Sequence, residues 1–170
     1  EQIPAELKAR PQWVGFKIKG EQKTPCIADA PHRKASSTDL HTWRSFETAA
    51  AGLRRGVFDA IAYALDGDFI GVDLDDCFDG DTLEENAAEI VYRCSSYAEK
   101  SFSGKGIHIL LTGGLGKGRN RGGIEVYGQG RFFICTGNRL PDTPESIQSN
   151  PDAVQWLLGD LCTEKAEITE

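Results

Sequence analysis

The sequence predicts an α+β fold, a domain wrapped around a largely antiparallel sheet. Three observations carry this. Short strand-like apolar runs are joined in pairs by glycine turns, helical periodicity is confined to three segments, and strands do not alternate strictly with helices as a parallel sheet requires.

Residues 12–19 (QWVGFKIK) alternate in the strand manner, and 21–33 read as a turn-rich stretch with Pro25 and Pro31. Ser45 can cap a helix whose apolar positions Phe46, Ala49, Ala50 and Leu53 share one face, with Gly56 placed to stop it. Residues 60–65 and 69–74 read as a hairpin through Asp66-Gly67-Asp68, because Asp-Gly supplies the positive φ that tight hairpin turns need. Thr82 and Glu85 have capping-box spacing ahead of Leu83, Ala87, Ile90, Val91 and Cys94. Residues 107–112 read as a strand, 113–123 as a glycine-rich loop, and 123–127 with 131–136 as a second hairpin through Gly128-Gln129-Gly130. Asn150 as cap, Pro151 at the first helical position, and Val154, Leu157, Leu158 and Leu161 predict a C-terminal helix. The polar residues 163–170 read as a frayed tail or the start of a linker.

At 170 residues the chain is long enough for one well-buried domain, expected over 1–162, and too short for two ordinary ones. No run approaches the roughly 20 apolar residues of a membrane span, and the N-terminus lacks the basic and apolar stretches of a secretory signal. With no methionine, even at position 1, the chain is expected to be cut from a longer protein. Cys26, Cys77, Cys94, Cys135 and Cys162 form no C-x-x-C pair and have no histidine at ligand spacing. Free thiols in a reducing cytosol, and no zinc, are therefore expected.

The net charge of −7 argues at first against a nucleic-acid partner, but its distribution argues the other way. Residues 59–89 hold eleven acidic residues and no Lys or Arg; residues 93–139 hold eight Lys/Arg against Glu99 and Glu125. An acidic block beside a basic one can bring metal ions to a polyphosphate; two solvated faces of opposite sign are the plain alternative.

The most informative segment is 69–76 (FIGVDLDD). On a strand Asp73 and Asp75 share a face while Leu74 turns to the core, a spacing suited to hard divalent cations. Both possible EF-hand registers fail, one with Phe78 at the glycine position and the other with Asn86 at the closing glutamate. An exposed acidic strand end stays open as the alternative. In 101–108 (SFSGKGIH) a small-residue turn opens a strand. Its glycines, including Gly104, let successive N–H groups form an anion-binding nest, with Ser103, Lys105 and His108 supplying further contacts that suit a triphosphate. The segment is no Walker A loop, and an ordinary turn with a satisfied strand histidine stays open. Glu125, alone in an apolar strand, is a ligand candidate. Arg131 can reach a phosphate or pair with Glu125. Lys117, Arg119 and Arg121, set among glycines, read as a mobile basic loop for a nucleic-acid backbone.

The order of these motifs resembles the archaeo-eukaryotic primase superfamily: a hydrophobic run ending in Asp73-Leu74-Asp75, then Ser103 to His108 opening a strand, then the acidic strand at Glu125. Gln12-Trp13-Val14, Lys23-Thr24-Pro25, 34–39 (KASSTD) with Trp43, and 125–133 (EVYGQGRFF) look like the primase-polymerases of phages and mobile elements. The resemblance spans about 12–139. It implies an RRM-like catalytic unit (59–145) fused to a small N-terminal α/β module (1–58), with a C-terminal helix at 150–162.

It further implies a DNA primase or DNA polymerase of DNA replication, a nucleotidyltransferase that releases pyrophosphate. Asp73, Asp75 and Glu125 would hold two Mg²⁺ or Mn²⁺ ions. Ser103, Gly104, Lys105, His108, Arg131 and Lys23 would contact the NTP or dNTP. Lys34, Ser36, Ser37 and Thr38 would meet a single-stranded template or primer-template, alongside Lys117, Arg119 and Arg121. A fused or separate helicase and helical-bundle domain, and the cytoplasm of a bacterial, archaeal or phage-infected cell, complete the expectation. Two rivals remain: an RRM-like binding module stacking bases on Phe132 and Phe133, and a metal-dependent nuclease using the same carboxylates.

Overall fold

A computed structural model of the protein describes residues 2–162. Glu1, the tail at 163–170, and the side chains of Asp160, Leu161 and Cys162 lie outside the described residues. In chain order the elements are α1 (Ala5–Lys8), β1 (Trp13–Lys19), β2 (Gln22–Ile27), β3 (Ala30–Lys34), α2 (Phe46–Arg54), β4 (Ala60–Leu74), β5 (Phe78–Asp79), β6 (Thr82–Leu83), α3 (Glu85–Cys94), β7 (Ala98–Lys100), β8 (Ile107–Thr112), β9 (Arg119–Arg121), β10 (Ile124–Cys135), β11 (Gln148–Ser149) and α4 (Pro151–Cys162). β5 and β6 pair only with each other. The other nine strands form one sheet, antiparallel except where β11 runs parallel to β8. This is the α+β, largely antiparallel architecture the sequence predicts.

A bent ribbon of β4 and β10 organises the sheet. Ile61 to Leu65 pair with Cys135 to Arg131, and Gly71 to Leu74 pair with Tyr127 to Ile124. Between these blocks the register slips, with four β4 residues facing Gly128 alone, and such bulges bend and twist a strand. Gly67 and Gly130, at φ +100 and +68, occupy the left-handed region at this bend. The two halves fold toward each other: a Cβ on Gly71 would lie 2.8 Å from the Phe133 ring and 3.2 Å from Leu65.

Alternation then assigns the cores. Ile61, Tyr63 and Leu65 pack with Phe69, Leu110 and Phe133 inside the bend. Ala60, Ala62 and Ala64 face Val14, Phe16 and Trp43. Ile70, Val72 and Leu74 face α3 and α4 through Ala87, Ile90, Ala153 and Leu157. Asp73, between two residues that face the helices, therefore lies on the opposite side, toward the inside of the bend.

Several local expectations hold. The Ser45 hydroxyl accepts the Thr48 amide, and Asn150 Oδ1 accepts the Ala153 amide, so both helices carry their anticipated caps. Gly56, at φ +73, ends α2 with its amide on the Leu53 carbonyl and the Val57 amide on Gly52, a Schellman pair. Cys26, Cys77, Cys94 and Cys135 are buried free thiols.

Others are corrected. Neither glycine turn makes a hairpin: 60–74 and 124–135 are each one strand, because each run finds a longer partner in the other. The stretch 21–33 holds β2 and most of β3 rather than turns alone, and residues 113–123 contain β9, zipped to β10 at Arg119↔Val126. Thr82 does not cap α3, since it pairs with Asp79; Glu84 stands at the cap position with no side-chain bond. Apart from these corrections, residues 1–58 contribute β1–β3 to the common sheet, β1 pairing directly with β4. Among the described residues no helix is long and apolar enough to cross a membrane.

Candidate active site

Register builds the site. Glu99 on β7 stands opposite His108 on β8, His108 opposite Asp73 on β4, Asp73 opposite Glu125 on β10, and Glu125 opposite Asn120 on β9. Directly opposed residues of antiparallel strands project from the same face, so five polar side chains cross the sheet in one row. Asp75 follows two residues after Asp73, held beside β10 by its amide on the Gly123 carbonyl at 2.9 Å. Asp76 leaves the strand at φ +43.

His108 is buried, and its ring contacts β10 and β4 rather than the Ser101–Gly106 turn. Its Nδ1 lies 2.9 Å from the Ile134 carbonyl and its Nε2 3.5 Å from Asp73 Oδ1, with the ring 4.4 Å from that of Phe133. Burial opposes the charged imidazole. Asp73, by hydrogen bond and charge, and then Glu99 outweigh it and raise the group above its ordinary value. The Asp75 carboxyl is also raised, first by burial and then by the charges of Asp73 and Asp76, against partial relief from His108 and Lys23. Tyr127, packed beside them, is pushed up by burial and by Asp73 and Glu125.

Two clefts meet at Tyr127. One, of about 160 Å³, is lined by Phe16, Lys23, Asp73, His108, Tyr127 and Phe132 with their neighbours Phe133 and Ile134. The other, of about 260 Å³, is lined by Gly118, Arg119, Asn120, Glu125, Tyr127, Gln129 and Arg131. Lys23, distant in sequence, thus joins Asp73 and His108. Arg131 lies 4.9 Å over the Tyr127 ring rather than pairing with Glu125, whose Oε1 instead accepts from Asn120 at 2.9 Å.

The turn that opens β8 abuts the end of β4. The Cys77 amide reaches the Lys105 carbonyl at 3.0 Å, and a Cβ on Gly106 would lie 2.6 Å from the Leu74 carbonyl oxygen. Its amides do not form an open nest. Gly104 N–H goes to the Ser101 carbonyl, Lys105 N–H to Ser103 Oγ and Gly106 N–H to Ser101 Oγ. What the turn offers an anion is the exposed Ser103 hydroxyl and the Lys105 ammonium.

Ser37 Oγ donates to the Gly130 carbonyl at 2.9 Å and Ser36 Oγ accepts from the Thr38 amide, which sets this segment against the β4–β10 bend beside Arg131. Lys34, on β3, and Lys117 are exposed and line neither cleft. Arg121 lies one register step from Asn120 on the exposed strand β9. Phe133 is 1% exposed and presents no free ring for base stacking, whereas half-buried Phe132 packs edge-on to Phe16 and lines the first cleft.

Among the described residues no three Asp, Glu, His or Cys side chains converge closely enough to surround one ion. Asp75 is raised first by burial and then by the neighbouring charge of Asp73, a repulsion that a cation would relieve, whereas Glu125 is turned to Asn120. The donor set is all oxygen, which suits a hard divalent ion. Sequence reasoning missed Asn120, Tyr127 and Glu99. Glu99 had a signal: one of only two acidic residues in the basic segment, two positions before the Ser101–Gly106 turn.

An α+β domain with paired carboxylates on one sheet face, flanked by basic clefts, is the class of protein that fold and site define. No family model matches the chain. It is similar to the DNA primase-polymerase of Nitratiruptor phage NrS-1, with 32% identity over 149 residues, covering 80% of this chain and 21% of that protein. The chain therefore spans about a fifth of the length of this relative. The similarity supports a relationship to the primase-polymerases, and the antiparallel α+β sheet is compatible with it.

Proposed function

We propose that this chain is the catalytic domain of a template-dependent nucleotidyltransferase, a DNA primase or DNA polymerase acting in replication. The observation that carries the reading is the cross-strand register that sets His108, Asp73 and Glu125 side by side between two clefts holding Lys23, Arg119 and Arg131. In domain terms, 59–145 is the RRM-like catalytic unit, 1–58 the N-terminal module that supplies Lys23, and 150–162 the closing helix.

Asp73 and Asp75 would hold Mg²⁺ or Mn²⁺, with Glu125 completing the set by turning from Asn120. Bound there, such ions would lower the pKa of a 3′-hydroxyl and offset charge on departing pyrophosphate. The protein's own groups do the positioning. Lys23, Lys105 and the Ser103 hydroxyl bind phosphate oxygens, and His108 Nε2, held in place by Ile134 and Phe133, faces the triphosphate beside Asp73. Arg131, stacked on Tyr127, and Arg119 lie along the second cleft, where the nucleic-acid backbone would pass. Ser36, Ser37 and Thr38 brace the bend from which Arg131 projects, while Lys34, Lys117 and Arg121 extend the basic surface.

Primer extension on a single-stranded template, with NTPs or dNTPs in Mg²⁺ and in Mn²⁺, tests this directly. Asp73→Ala and Asp75→Ala are expected to abolish synthesis while the circular dichroism spectrum is unchanged. Persistent extension by the double variant overturns the assignment. A nuclease would cleave the template and show no specific calorimetric binding of nucleoside triphosphate.

A further inference from the structure

Glu99 is the feature that the reaction above does not use. Its side chain is 1% exposed, in the middle of the fold. Oε1 accepts the Thr136 amide at 2.7 Å; Oε2 accepts the Gly137 amide at 2.9 Å and the Tyr97 hydroxyl at 2.7 Å. Tying β7 to the end of β10 does not by itself demand a carboxylate, since the Thr136 hydroxyl already bonds the Lys100 carbonyl at 2.7 Å across the same join. A buried carboxylate is costly to keep unless its charge is satisfied. Of the two ionisable residues opposite it, Arg139 turns its guanidinium to the Thr143 carbonyl and Glu145, whereas His108 lies with Nδ1 4.0 Å from Oε1.

We propose that Glu99 is a positioning residue for His108. By gripping the amides of Thr136 and Gly137 it fixes the end of β10, so that the Ile134 carbonyl engages Nδ1 of the ring and Nε2 is left facing Asp73 and the cleft. At many sites a carboxylate or backbone carbonyl bonded to the far ring nitrogen orients a functional imidazole; here the Ile134 carbonyl makes that bond and Glu99 holds the segment that carries it. The idea rests on the nucleotidyltransferase reading only for its kinetic consequence.

The test uses Glu99→Gln, a near-isostere that keeps one acceptor oxygen but not the charge. Nitrogen NMR of the His108 ring, with the exposed His32 and His41 as internal references, reads orientation without needing activity. Expected are shifted His108 ring signals and weakened contacts from the ring to Phe133, with backbone amide dispersion retained. Thr136→Ala, which cuts the purely structural tie, should leave the His108 signals in place. In primer extension, Glu99→Gln should raise KM for the nucleotide about tenfold with a smaller change in kcat. The same change in a His108→Asn background should add little. Unchanged His108 signals in folded Glu99→Gln, or an equal shift from Thr136→Ala, overturns the proposal. Absence of extension by the unsubstituted protein would instead sink the function reading and leave the NMR result standing.

Discussion

Burial and the adjacent charges of Asp73 and Asp76 raise the Asp75 carboxyl, so folding and ionisation oppose each other at this residue. A group whose folded pKa lies above its unfolded value favours the fold while protonated and loses that contribution as pH rises through the folded pKa. At neutral pH without metal, Asp75 is thus a source of instability, and Asp75→Asn should be more stable than the unsubstituted chain. Asp75 is exposed enough for solvent to screen much of this, so the expected gain in Tm is on the order of 1–2 °C. It should vanish below about pH 4, where the unfolded carboxyl is protonated as well. Thermal melts from pH 3.5 to 8 in chelator check it, and equal Tm values across that range would refute it. Added Mg²⁺ should reverse the order, stabilising the unsubstituted protein and not the variant. The paired aspartates were legible in the sequence because alternation along one strand is local. Lys23 could be placed near them only through a resemblance of motifs, and Glu99 and Asn120 were missed, because those neighbours are set by the register of separate strands.

The β4–β10 ribbon carries the site on its bend, and Gly71 is where its two halves come closest. A methyl group at position 71 would meet the Phe133 ring at 2.8 Å and Leu65 at 3.2 Å, with no flexible chain end to give way. Gly71→Ala should therefore cost roughly 1–3 kcal/mol, the range for forcing an extra methyl into a packed core. Urea unfolding should show a lower midpoint with an unchanged m-value, and a midpoint within error of the original would contradict the packing. Because Phe133 also supports the His108 ring, activity should fall further than the lost stability explains. The glycines at both bends read as hairpin turns for an understandable reason. Asp-Gly between two apolar runs has the same local signature whether the runs pair with each other or with a distant strand. The caps at Ser45 and Asn150, by contrast, depend on bonds within three residues, and those were readable. The Thr82 cap failed because pairing with Asp79 claimed it first.

At the scale of the whole molecule, a chain of net charge −7 could bind a polyanion only through local charge. The acidic hairpin of β5 and β6 and the acidic first turn of α3 follow β4 in the chain, while Arg119 and Arg131 line the second cleft, exposed Lys117 lies two residues before Arg119, and Lys34 precedes the serines that brace the bend. Binding of a single-stranded oligonucleotide should then weaken linearly in log–log salt plots, with a slope of about −0.7 for each phosphate neutralised. Long-range repulsion from the net charge is screened beyond roughly 8–10 Å at physiological ionic strength, so the local basic surface decides the contact. Lys117→Ala should lower the slope magnitude by about 0.7, and adding Lys34→Ala should lower it by a similar step, nearly independently of oligonucleotide sequence. Fluorescence anisotropy between 25 and 300 mM KCl measures both, with Lys8→Ala, at the far end of the first helix, as a control expected to leave the slope alone. A slope unchanged in the double variant would mean that nucleic acid takes another path across the domain. A slope altered for some sequences only would mean that these lysines meet bases rather than phosphates.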